Sequence, residues 1–186
     1  MISCVLLAAG QSSRFGSDKL DHRLRSGETI FETSLSRYLP VCSEVIVVVQ
    51  PEDQDRKHSL QEKSVTVVDS PNFEEGMSQS LIAGVSASPD ASGWIIALAD
   101  MPYIQTETLE SLIAQTRPNN IVQPSHEGAL GNPVVFSQIF KGELLSLEGD
   151  QGAKSVIQRN QSRLCVVPTE DKGVLQDVDR LEDVLL

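Results

Sequence analysis

The sequence predicts a three-layer α/β/α fold around a mainly parallel sheet, and three observations carry that expectation. Apolar runs of strand length alternate with helix-period patterns along the chain, the order that builds parallel sheets. Glu44 to Val49 reads EVIVVV, a continuous β-branched run suited to a strand covered on both faces. The 186 residues are 40% hydrophobic but only 4% aromatic, enough for one mostly aliphatic core. A single domain over residues 1–186 follows, because no repeat, linker or low-complexity tract interrupts the pattern.

The first strand is expected over Ile2 to Leu7, ended by Ala8-Ala9-Gly10. Thr29 to Leu39 reads as a helix, with Ile30, Leu35, Tyr38 and Leu39 on one face and Pro40 at its end. Pro51 to Leu60 is polar and suits a short helix, and Val65 to Val68 a third strand. Met77 to Ala87 reads as a helix, and Trp94 to Leu98 as a fourth strand stopping at Ala99-Asp100-Met101-Pro102. Thr106 to Thr116 is an amphipathic helix that Thr106 can cap. Asn120 to Gln123, Pro133 to Phe136 and Leu164 to Val167 are further strands. Ile139 to Leu147, Gly152 to Gln158 and Leu181 to Leu186 are expected to be helical.

The formal charge of −11, from 26 acids against 15 bases, excludes the broad basic surface that nucleic acids and anionic membranes require. It leaves room for a local phosphate site made by a few cations and backbone N–H groups. The three cysteines, Cys4, Cys42 and Cys165, lie far apart in apolar stretches, so free thiols in a reducing compartment are expected. No apolar run reaches the ~20 residues of a membrane helix, and a cytoplasmic location is expected. His22 and His126 stand alone in polar stretches and read as surface residues.

In open α/β sheets ligands bind beyond the carboxyl ends of the strands. The loop after the first strand runs Ala8-Ala9-Gly10-Gln11-Ser12-Ser13-Arg14-Phe15-Gly16-Ser17-Asp18-Lys19-Leu20. Small residues allow close approach of a ligand to the main chain, and successive N–H groups can form a nest for anions. Arg14 can grip phosphate oxygens bidentately, while Lys19 supplies a mobile point charge. The spacing matches neither the P-loop nor the Rossmann glycine pattern. A solvated surface loop is the alternative. After the fourth strand, Asp100 offers a hard carboxylate at the same edge of the sheet, or simply opens a turn before Pro102.

LAAGQSSRFGSDKL resembles the signature loop of the MobA-like nucleotidyltransferases, and more closely their molybdenum-cofactor cytidylyltransferase branch. Phe15 stands where that branch usually has Met. The resemblance implies a mainly parallel, Rossmann-like sheet of the nucleotide-diphospho-sugar transferase kind. It implies that the backbone around Leu7, Ala8, Ala9 and Gly10 wraps the triphosphate and that Arg14 and Lys19 stabilise its charge. Ala9 is similar to the CTP-using branch, whose guanylyltransferase relatives carry L-A-G-G here.

Leu98-Ala99-Asp100-Met101-Pro102 resembles the family's metal-binding L-A-D-M-P, which makes Asp100 a Mg²⁺ ligand. Asp177-Val178-Asp179-Arg180-Leu181-Glu182-Asp183 is similar to a D-[IV]-D-T-P-E-D ending, with Arg180-Leu181 in place of Thr-Pro. It implies Asp179 as a second metal ligand, against a helix N-cap as its alternative role. Glu182 and Asp183 read as solvated acids in a first helical turn.

Gly76-Met77-Ser78-Gln79-Ser80-Leu81 resembles the family's base-binding G-M-S-x-S-L, which assigns Gly76 and Ser80 to the nucleotide and leaves Ser78 as a candidate cap. Gly131-Asn132-Pro133 has Asn where the family has His, and Asn cannot take up a proton near neutral pH. Gly149-Asp150-Gln151-Gly152-Ala153-Lys154 is similar to an acceptor-side G-D-x-G-A-R.

The implied partners are a nucleoside triphosphate, CTP favoured, a phosphate-bearing acceptor such as molybdopterin, and a molybdoenzyme, with no nucleic acid or membrane. Use of GTP, a sugar or alcohol phosphate as acceptor, and a non-catalytic nucleotide-binding role are the alternatives.

Overall fold

The computed structural model describes residues 1–10, 18–150 and 152–184. An eight-stranded sheet lies between two helical layers. β1 (Ile2–Leu7), β2 (Glu44–Val49), β3 (Thr66–Asp69) and β4 (Gly93–Leu98) are parallel, with β1 between β2 and β4. β7 (Val134–Ser137) adds antiparallel to β4, and β5 (Ile121–His126) antiparallel to β7. The short β6 (Ala129–Leu130) and β8 (Leu164–Pro168) both pair with β5, β8 in parallel. The chain moves outward from β1 to β3 on one side and resumes at β4 on the other, so the topological switch lies between β1 and β4.

The period-2 pleat divides the core. Cys4, Leu6, Val45 and Val47 face one cluster, with Phe31, Leu35 and Tyr38 of α1 (Ile30–Tyr38) and Leu109 and Leu112 of α4 (Thr106–Ala114). Val5, Ile46, Val48, Trp94 and Ile96 face the other, with Leu81 and Val85 of α3 (Met77–Ser86), Leu144 of α5 (Lys141–Leu145) and Val156 of α6 (Lys154–Arg159). α2 (Gln54–Ser59) follows β2. At Gly84 a Cβ would lie 2.3 Å from a Val5 methyl, so only glycine lets α3 sit this close to β1.

α1 starts with a capping box, Thr29 and Glu32 each accepting the other's backbone N–H. α4 is capped differently from expectation. Thr106 is its first helical residue, and the carboxylate of Asp171 accepts the Gln105 N–H and the Thr108 hydroxyl, each at 2.8 Å. Asp171 is 2% exposed, so a distant acid replaces the local cap because the 168–174 loop folds against this helix end.

Other expectations also change. β5 extends to His126, which is buried, with its Nδ1 2.9 Å from the Thr169 carbonyl oxygen. His22 is half-buried, and Leu39 leaves the apolar face of α1 to become its exposed C-cap. Cys4 and Cys42 are buried free thiols, while Cys165 is half-buried. Leu181–Asp183 forms a 3-10 turn, and residues 185–186 of the expected helix lie outside the described residues. Among the described residues no helix is long and apolar enough to cross a membrane.

Candidate active site

Parallel register brings the ends of two strands together. Leu7 pairs with Leu98, so Ala8-Ala9-Gly10 and Ala99-Asp100 leave the sheet side by side. The Ala8 N–H donates to the Val48 carbonyl at 2.8 Å, and the Ala99 N–H to the Leu7 carbonyl at 3.1 Å. Both methyls lie in the core. The Gln50 side-chain amide donates to the Ala9 carbonyl at 3.2 Å and steadies the turn.

Lys19 opens a 3-10 turn over Lys19–Asp21, capped by the Asp18 carboxylate and seated by buried Leu20. Its Nζ lies 2.7 Å from Asp100 Oδ2 and 2.7 Å from Asp179 Oδ1. These acids stand 81 and 160 positions along the chain from the lysine.

The segment carrying Asp179 reaches β4 by a backbone bond, the Val178 N–H donating to the Asp100 carbonyl at 2.9 Å. Val178 is wholly buried, and Asp177 and Asp179 flank it. Asp183 accepts the backbone N–H of Asp179 at 3.0 Å and of Arg180 at 2.7 Å. Asp183 therefore fixes the turn rather than standing in solvent, and its carboxylate orders the path where Arg180-Leu181 replaces Thr-Pro. Glu182 is exposed and lies 3.3 Å from Arg180.

Asp177 joins the cluster: Asp100, Asp177 and Asp179 present oxygens within 4.8 Å of one another. Sequence reasoning singled out Asp179 but not Asp177. The signal was the Asp-Val-Asp spacing, because residues i and i+2 of an extended segment share a side when the middle one is buried.

Burial would lower the pKa of Lys19, but Asp100 and Asp179 outweigh it and the pKa is raised. Burial raises the Asp100 pKa, Lys19 offsets only part of that, and Asp177 pushes it further up. Among the described residues, three carboxylates gather where Lys19 bridges two of them. Asp100 Oδ1 is buried with no hydrogen-bond partner among the described residues. Among the described residues this is a hard-oxygen donor set with an unsatisfied oxygen, and it fits a divalent cation.

A cavity of about 450 Å³ opens beside Asp100, with Leu7, Ala9, Gly10, Gly76 and Ser80 in its wall. Ala8 turns into the core instead. Arg14 lies outside the described residues. Glu74, Glu75 and Asp150 add an acidic rim that sequence reasoning did not assign to the site.

Gly76 has φ of +115°, and a Cβ there would lie 2.6 Å from the carbonyl of Gly149. The 149–150 loop is therefore pressed onto the start of α3. The Met77 N–H donates to Asp150 Oδ1 at 3.2 Å and the Ser78 N–H to the Gly149 carbonyl at 3.3 Å. Ser78 does not cap the helix; its hydroxyl is buried without a partner among the described residues. Ser80 is buried and donates its hydroxyl to Ser70 Oγ at 3.1 Å.

A second cavity, about 850 Å³, shares Leu7, Met77 and Leu98 with the first. Leu81, Ile96, Val134, Ile157 and Val166 give it aliphatic walls, and Gln123, Asn132 and Lys154 supply polar groups. The Asn132 N–H donates to the Val174 carbonyl at 2.9 Å, which ties this cavity to the segment leading to Asp177.

Known proteins share this framework. The purine catabolism protein PucB of Bacillus subtilis is 30% identical over 96% of this chain and 92% of its own length. The molybdenum cofactor cytidylyltransferase of Escherichia coli is 28% identical over 74% of this chain and 70% of its own. The crystal structure of Rv0371c from Mycobacterium tuberculosis superposes with a TM-score of 0.85 at 24% identity, over 98% of this chain and 94% of that one. A structure of that protein is also known in complex with manganese, with a TM-score of 0.80 at 24% identity, over 98% of this chain and 95% of that one. The model of the MobA-like NTP transferase domain matches residues 4–164. That match spans most of the chain, strand-end site and parallel strands included, and the chain belongs to the MobA-like NTP transferase family.

Proposed function

We propose that this chain is a magnesium-dependent nucleotidyltransferase that moves CMP from CTP onto a phosphate-bearing acceptor, molybdopterin or its molybdenum-loaded form, and releases pyrophosphate. The observation that carries the proposal is the convergence of Lys19, Asp100 and Asp179 at the mouth of the first cavity. A phosphate oxygen of the acceptor attacks the α-phosphorus, and the bond to the β-phosphate breaks. The attacking group is already anionic, so no protein base is needed, and Asn132 in place of a histidine is no obstacle. Asp100 and Asp179, with Asp177 beside them, would hold a divalent cation, which would neutralise phosphate charge. Lys19, Arg14 and the amides of Ala9 and Gly10 stabilise charge growing on the leaving pyrophosphate. Burial of Asp100 and Lys19 strengthens these interactions by limiting solvent screening.

The first cavity takes the nucleotide, with Gly76 and Ser80 near the base, and the second takes the acceptor. Its aliphatic walls suit a broad ring system better than a sugar, whose hydroxyls would find few partners there. Lys154 offers a cation for an acceptor phosphate. Ala9, where guanylyltransferases of the family carry a second glycine, supports CTP over GTP. Free Cys4, Cys42 and Cys165 support a cytoplasmic location.

The test is pyrophosphate release with CTP, GTP, ATP or UTP, magnesium or manganese, and molybdopterin or its molybdenum-loaded form. Release with CTP that depends on both metal and acceptor is expected. Nucleotide binding without release would instead make the chain a non-catalytic binder serving a molybdoenzyme.

A further inference from the structure

Arg56 takes no part in either cavity, yet its side chain is only 2% exposed. It projects from α2 into three carboxylates. Nη2 lies 2.7 Å from Asp18 Oδ2 and 3.1 Å from Asp21 Oδ1, and Nε lies 2.7 Å from Asp53 Oδ2. The guanidinium carbon sits 4.8 Å from the centre of the Phe31 ring on α1. Such a planar fork, stacked and hydrogen-bonded at once, has one geometry.

Asp18 divides its carboxylate between two tasks. Oδ1 accepts the Leu20 N–H at 3.0 Å and caps the turn, while Oδ2 rests on Arg56. Lys19 is the first residue of that turn. A lysine stem is long and flexible, so the place of its ammonium depends on how firmly its backbone origin is held.

We propose that Arg56 is a positioning residue for nucleotidyl transfer: by locking the Asp18 carboxylate that caps the Lys19 turn, it fixes the backbone origin of Lys19 and keeps the amine beside the Asp100–Asp179 pair, within reach of a metal-bound triphosphate. The inference rests on the nucleotidyltransferase reading of that site. Without the guanidinium, Asp18, Asp21 and Asp53 face one another as like charges, and their repulsion bears on the Asp18 cap of the Lys19 turn. A displacement of ~1 Å at a reacting centre can cost about 100-fold in rate.

The test combines Arg56→Met, Arg56→Lys and Asp18→Asn with a Lys19→Met background. Below its melting transition, Arg56→Met is expected to lose about 10- to 100-fold in kcat with the acceptor KM unchanged, and Arg56→Lys to recover part of that loss. In the Lys19→Met background the further loss is expected to be under about 2-fold, since Arg56 acts through Lys19. An equal loss in both backgrounds overturns the proposal. Should Arg56→Met fail to fold, Asp18→Asn carries the same cycle, because it weakens the charge link and keeps an oxygen for the cap.

A second readout does not depend on activity. Acetylation of Lys19 by acetic anhydride, followed by mass spectrometry, is expected to run several-fold faster in Asp18→Asn and in Arg56→Lys than in wild type. Unchanged labelling in both overturns the role of Arg56. An absence of transfer in the wild type, with labelling altered as expected, would instead overturn only the catalytic reading of the site.

Discussion

Val178 donates its backbone N–H to the carbonyl oxygen of Asp100 at 2.9 Å, and its side chain is wholly buried in the core beneath that bond. One residue thereby fixes where the last segment of the domain meets the end of β4. Asp177 and Asp179 are placed by this docking.

Val178→Ala is expected to lower stability by about 2 kcal/mol, from the methyl groups removed and the space left behind. It should also raise by several-fold the metal concentration needed for half-maximal turnover. Urea unfolding and a metal titration of activity check the two parts. A variant destabilised by this amount whose metal dependence is unchanged would show that Val178 serves the core alone.

Burial raises the Asp100 pKa above the ordinary 3.8, with Lys19 offsetting only part. Ionisation of Asp100 therefore costs more in the folded chain than in the unfolded one. Its contribution to stability is present below the unfolded value and is lost as pH rises through the folded value. Asp100→Asn stays neutral throughout. Without divalent metal it should melt no lower than wild type near neutral pH, and its advantage should shrink as pH falls toward about 4. Added magnesium should raise the melting temperature of the wild type and leave the variant's unchanged.

Lys19 shares the carboxylates that suit a metal ion, so the ammonium and a divalent cation compete for them. Lys19→Met is expected to bind Mn²⁺ alone more tightly, by about 10-fold, as one favourable charge pair at each acid is lost to the lysine. Turnover should nevertheless fall by about 10²–10³, the cost typical of losing one preorganised contact to developing charge. Mn²⁺ titration followed by electron paramagnetic resonance, beside steady-state rates, separates the two effects.

Much of the fold was legible because its determinants are local. The β-branched run of β2 and the aliphatic runs of β1 and β4 specify buried strands by composition alone. Thr29 with Glu32 three residues on announces the start of α1. The antiparallel direction of β7 was not legible, because Val134-Val135-Phe136 reads alike either way along the strand. Nor was the capping of α4 by Asp171, since that contact spans 66 positions. Lys19, Asp100 and Asp179 could be singled out because a family resemblance marks their loops. Arg56 could not: within the polar stretch Gln54 to Ser59 it looks like one more solvated charge, and only the approach of Asp18 and Phe31 makes it a buried one.

The second cavity makes a separate claim. Val166 on β8 is 43% exposed and contributes to the wall of that cavity but not of the first. Val166→Trp should raise the acceptor KM by about 10-fold through lost space while leaving CTP affinity within about 2-fold. Steady-state kinetics with each substrate varied in turn checks this. A rise in the nucleotide KM alone would exchange the assignments of the two cavities.

Calorimetric titration of magnesium–CTP into wild type, Asp100→Asn and Asp179→Asn asks whether these acids and Lys19 hold one metal-bound nucleotide. A saturable wild-type site is expected, with affinity about 10-fold or more weaker in each variant, the scale of one lost charge-assisted contact. Unchanged affinity in either variant, with the fold intact, would contradict that shared site.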